Sequence, residues 1–287
     1  MNSRDAQDVI LRLLADGPFR GAAMAPQAAT ALDAETASVL ARVDLAGLER
    51  FGRFLCRHYY RERVVHYFKY SRALAPLTGR PPESALKTPE FKALMPQLVM
   101  GERASAERVV TLLRCFLTDD ADAIRARIRY WDDLVAYQSA FFLSDAAAAS
   151  RPASAGASVG PTVESAPRFP ARAESVSYLE LSYDLPAVLP LLLKPLEDIP
   201  AAVLKPTRLL LARSPHGEVT VIRCTDALKR LLDSLTGEVP AAEVAARLGV
   251  DPNAFERTLR QLEDVGAVVA RESFSSSHTG SELPSPV

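Results

Sequence analysis

The chain has 287 residues, 48% of them hydrophobic and 24% charged, with 34 Lys and Arg against 35 Asp and Glu. At roughly 100–200 residues per domain, that length has room for two cored domains. The balanced charge excludes a protein built chiefly to coat nucleic acid or an anionic membrane.

Up to residue 144 the pattern predicts helices throughout. Ser3 caps a helix over Arg4–Ala15 that stops at Gly17-Pro18, and a second helical segment covers Asp33–Arg42. A long helix follows from Asp44 to Leu74. A step of about 100° per residue aligns Leu45, Leu48, Gly52, Leu55, Tyr59, His66 and Tyr70 on one face. Thr88-Pro89 is an N-cap with proline at the first helical position. Ala104–Leu117 and Ala121–Phe142 complete an all-α domain, 1–144, with Ile124, Ile128, Trp131, Val135 and Gln138 near one face of the last helix.

Residues 145–175 are mostly Ala, Ser, Pro and Gly and cannot bury enough surface to offset their ordering entropy, so a disordered linker is expected. Beyond it the period changes. Val176–Leu185 alternates as a strand does. Pro206–Arg213 and Glu218–Arg223 flank a Ser-Pro-His-Gly hairpin turn. Helices are predicted over Asp226–Leu235, Ala241–Leu248 and Pro252–Val265, the last capped by Asp251, followed by a short strand at Ala267–Ala270. The expected fold class is α+β: a helical domain, a linker, a winged-helix domain over 176–272, and a disordered tail over 273–287.

A winged helix invites a DNA-binding reading, as a transcriptional regulator. Such a reader needs cations on its third helix. Here Arg257 and Arg260 stand among Asp251, Glu256, Glu263 and Asp264, and Pro206–Arg271 holds nine Lys/Arg and nine Asp/Glu. That is a poor footprint for a duplex, and DNA binding is kept as the alternative.

The run from Val219 to Val269 resembles a PqqD-type RiPP recognition element. Its matching pieces are Thr225–Leu235 with Gly237, Val239–Leu248, and Phe255–Val268. The flanking Tyr178–Leu189 and Pro206–Arg213 are similar to the C-terminal half of HvfC-like proteins, companion subunits of multinuclear non-haem iron oxidases that modify ribosomally made peptides, as in methanobactin and 3-thiaglutamate biosynthesis. The resemblance covers about 176–269, and the helical half departs from it. It implies a non-catalytic partner subunit, in a heterodimer with the oxidase, that binds the leader of a precursor peptide and presents a residue, a Cys by the same resemblance, to iron held on the oxidase.

In such an element an extended peptide adds to an open sheet edge, its alternate side chains falling into a groove beside the third helix. The peptide-binding residues expected here are Glu218, Val219, Thr220, Val221, Ile222 and Arg223 on the strand, with Arg257, Arg260 and Gln261 on the helix rim. Alternation sets Val219 and Val221 on one face, Thr220 and Ile222 on the other. Phe255, Leu259 and Leu262 are expected in the core. On the long N-terminal helix, Arg53, Phe54, Arg57, Tyr60, Arg61, Tyr67 and Phe68 form a basic-aromatic surface suited to a protein partner. A helix buried on two sides is the plainer account of it.

No active site is predicted. Of His58, His66, His216 and His278, only the first two lie in helix, and no metal-ligand spacing surrounds them. Glu62 and His66, one turn apart, are placed for a carboxylate–histidine contact. No phosphate loop, dinucleotide fingerprint or nucleophile elbow occurs. The chain is therefore expected to be no enzyme and to hold no metal or cofactor itself. Cys56, Cys115 and Cys224 are odd in number and widely spaced, which suits reduced thiols. The longest apolar run, Leu185 to Leu196, is broken by Pro190, Lys194 and Pro195. With Arg12 inside Val9–Leu14 no secretory signal is expected. A cytoplasmic protein without membrane contact is expected.

Overall fold

The computed structural model describes residues 3–25, 44–146, 168–195 and 198–271. The helix expected over Asp33–Arg42, residues 147–167 of the expected linker and the tail lie outside these. Helix and sheet are mixed, as the α+β expectation required.

The helical part begins with α1 (Ser3–Ala15). The Gly17-Pro18 stop is also a start: Asp16 caps Phe19 N–H at 2.8 Å and opens α2 (Gly17–Ala23), with proline at an N-terminal position where no N–H is needed. Next come α3 (Leu45–Tyr67), α4 (Lys69–Ala73), α5 (Pro89–Leu94), α6 (Arg103–Thr118), α7 (Asp122–Arg127) and α8 (Trp131–Ala146). Thr88 caps α5 as the sequence predicts, its hydroxyl accepting from Phe91 N–H at 3.3 Å.

The long helix expected to Leu74 is broken at Phe68, and Gln138 of α8 occupies the break. Its buried Oε1 accepts from both Tyr70 N–H and Ser71 N–H at 3.1 Å, and its Nε2 donates to Ser71 Oγ and Leu134 O. A side chain has replaced two rungs of the helical ladder, a recognised cause of a kink. The core stripe of α3 is also rotated by about one residue from the predicted one. Gly52, Cys56, Tyr60 and Val64 are buried, and Phe68 continues the row, whereas His66 is exposed. Leu45 and Leu48 serve a small separate cluster with Leu13 and Phe19.

The sheet strands are β1 (Phe169–Arg172), β2 (Ser177–Tyr183), β3 (Leu204–Arg213), β4 (Val219–Arg223) and β5 (Val268–Arg271). Between β4 and β5 lie α9 (Asp226–Ser234), α10 (Ala241–Leu248) and α11 (Pro252–Asp264), within a residue of their predicted ends, with Asp251 capping Ala254 N–H at 2.8 Å. Strands β2, β3 and β4 form one antiparallel sheet in that order, and β1 pairs with β5 in a second. The turn between β3 and β4 closes on Gly217, whose φ of 92° lies where an L side chain is strained.

Two expectations are corrected here. Residues 168–175 are not linker: Phe169–Arg172 is a strand in register with Val268–Arg271, and Arg172 N–H bonds Leu235 O at 3.0 Å. Phe169-Pro170-Ala171-Arg172 carries no alternating apolar pattern; pairing with β5 makes it a strand, which its composition does not announce. Nor do the two main cores divide at the linker. Leu181, Leu185, Leu209 and Leu211 belong to the same buried cluster as Tyr60, Phe68, Trp131 and Phe142 of the helices. The opposite face of the sheet, through Leu210 and Ala212, is buried with Leu232, Val244, Phe255, Leu259 and Leu262. The sheet is therefore a shared middle layer with helices on both sides.

Candidate peptide-docking edge

Each face of β4 belongs to a different core. Val221 packs against the helical cluster and Ile222 against the C-terminal one, as strand alternation predicts. Val219, Thr220, Val221 and Ile222 are half-buried, while Glu218 and Arg223 are exposed.

The hydrogen-bond phase of the ladder determines what the outer edge offers. Ser214 N–H donates to Glu218 O at 2.8 Å, and Cys224 N–H donates to Arg208 O at 2.9 Å. Both pairs lie on the register that aligns Arg213 with Val219 and Leu209 with Arg223. In an antiparallel pair the bonded positions alternate, so Thr220 and Ile222 face β3 while Val219, Val221 and Arg223 direct N–H and C=O outward. Among the described residues those outward groups have no hydrogen-bond partner, and β4 pairs with β3 alone. The opposite border differs. On β2, Ser182 N–H and Tyr183 N–H both donate to Asp133 Oδ2, at 2.7 and 2.9 Å. Burial raises the Asp133 carboxyl pKa, and these two donors act in the opposite direction.

The helix rim expected beside this edge lies elsewhere. Arg257, Arg260 and Gln261 are exposed, and α11 packs chiefly on α10 and β5. The helix that does pack beside β4 is α8. Sequence reasoning missed it, although the unbroken apolar run Leu209–Ala212 signals a strand buried on both faces. Phe255, Leu259 and Leu262 are core, as expected. The local glutamates do not serve the two arginines: Glu256 and Glu263 both bind Arg168, at 2.8 and 2.5 Å, leaving Arg257 and Arg260 with no ion pair among the described residues.

The second predicted surface is divided. Tyr60 and Phe68 are not on it: both are fully buried, because the core stripe of α3 runs through them. Tyr67 is half-buried against Phe141 and Phe142. Arg53, Phe54, Arg57 and Arg61 do share an exposed face, and with them stand Phe51, part of the same basic-aromatic run, and His58, which sequence reasoning left out. The Glu62–His66 contact is not made; His66 sits edge-on to Tyr67 instead, with ring centroids 4.6 Å apart.

Where α3, α8 and β3 meet, Asp145 binds both Arg63 and Arg213, and Arg63 lies over the rings of Phe142 and Tyr67 at 4.8 and 5.3 Å. Burial, aided by a hydrogen bond to Asp145, pushes the Tyr67 phenol up to about 12. Cys56 is also buried and its thiol is pushed up to about 11, which makes it a poor nucleophile. Among the described residues no three His, Cys, Asp or Glu side chains gather as a metal ion would need, and no helix is long and apolar enough to cross a membrane. No protein-family model and no curated protein matches the chain.

Proposed function

We propose that this protein is a non-catalytic partner subunit that captures an extended segment of a ribosomally made precursor peptide on β4 and holds it for a modifying oxidase. The observation that carries this reading is the outward row of N–H and C=O groups at Val219, Val221 and Arg223, free of partners among the described residues. An unpaired edge of this kind is a template for another chain. An added strand would set alternate side chains beside Val219 and Val221, next to α8, and the others beside Thr220 and Ile222. The resemblance to PqqD-type winged-helix elements supports the same edge, and it supplies the expectation that iron and chemistry reside on the partner. The exposed face of α3 would dock that partner, so one chain would carry both the oxidase and its substrate.

The DNA-binding alternative gains less. Arg257 and Arg260 make no ion pair among the described residues, but they stand alone on α11, and β5, the strand that follows, is occupied with β1.

Calorimetric titration of the whole chain with leader peptides from candidate precursors, short Cys-bearing reading frames sought beside its gene, tests the reading. Val219→Pro, which deletes an outward donor, is expected to weaken binding at least about ten-fold. Equal affinity in the variant would refute it.

A further inference from the structure

The exposed face of α3 segregates charge in a chain whose totals balance. Arg50, Arg53, Arg57 and Arg61 follow one another along some three helical turns, about 16 Å at 1.5 Å per residue, and all are exposed. Arg53 is joined to Glu49; the other three make no ion pair among the described residues. Beside them runs a stack of rings. Phe51 and Phe54, 50% and 62% exposed, lie 6.3 Å apart at 15°, and Phe54 and His58 lie 6.1 Å apart at 5°.

We infer that this face binds an acidic protein surface, one that presents carboxylates along the arginine row and an apolar contact for the rings. Unpaired guanidiniums favour carboxylates, which they can bind through two hydrogen bonds. Exposed Phe beside Arg is the composition of a protein-interface anchor; stacking of single-stranded bases on the same rings is the competing outcome that the test distinguishes. This inference rests on reading α3 as the docking face, and is independent of the β4 edge.

The test uses the intact chain with two fluorescent probes, a short poly-glutamate peptide and an oligothymidylate of equal charge, followed by anisotropy. Poly-glutamate is expected to bind more tightly than oligothymidylate, to weaken as salt rises, and to lose at least about ten-fold in Arg57→Glu/Arg61→Glu. The pair Arg257→Glu/Arg260→Glu is expected to bind as the parent does. Both pairs are exposed, and circular dichroism checks that the helices persist. Absent poly-glutamate binding, equal loss in the two pairs, or tighter oligothymidylate binding would each overturn the inference, the last in favour of nucleic acid. Val219→Pro retains the arginine row, so poly-glutamate binding in that variant separates this surface from peptide capture.

Discussion

Asp145→Asn is expected to destabilise the protein by about 3–5 kcal/mol, measured as a shift in the urea midpoint at constant slope. Asp145 sits at the C-terminal end of α8 and is the only carboxylate that Arg63 of α3 and Arg213 of β3 bind among the described residues. All three side chains are mostly buried, with exposures of 14–21%. The substitution keeps the shape and removes the charge, leaving two poorly hydrated guanidiniums facing each other. The pair Asp145→Asn and Arg213→Met should cost less than the sum of the two single changes, since one cation is then removed with its anion. A loss below about 1 kcal/mol would reduce the cluster to a solvated surface contact. The expected value instead makes it a clamp between the helices and the sheet.

The second large effect contrasts neighbouring residues. Thr220→Pro is expected to cost about 3 kcal/mol, because Thr220 faces β3 and its N–H belongs to the ladder. Val219→Pro, one residue away, deletes a donor that bonds nothing among the described residues, and proline is tolerated on an edge strand. Its urea midpoint should stay near the parent's while its affinity for the precursor falls. Similar losses of stability in both variants would show that the outer border of β4 is already paired.

Much of this was legible in the residues. Proline and cap signals located α5 and α11, because those devices act within one turn; alternation located β2, and the Ser-Pro-His-Gly turn located β3 and β4. Long-range relations were not legible. Nothing local between Asp44 and Leu74 announces that Gln138, on another helix, will take the amide hydrogens of Tyr70 and Ser71, so the kink was missed. The alanine- and proline-rich stretch hid β1, since Phe169–Arg172 is only four residues long, shows no alternation, and becomes a strand through its distant partner β5. Tyr60 and Phe68 were assigned to a partner surface because a stripe one residue out of phase moves core residues onto the exposed face. On the edge itself, alternation gave the facing of each side chain, whereas the outward N–H groups emerged only from the ladder's phase.

Amide hydrogen exchange across β4, resolved by NMR with and without the precursor peptide, tests the docking edge most directly. In the free protein Thr220 and Ile222 should exchange slowly and Val219, Val221 and Arg223 fast. Bound peptide should slow the odd-numbered three and leave the even two as they were. Unchanged exchange at Val219, Val221 and Arg223 in the saturated complex would contradict strand addition at β4.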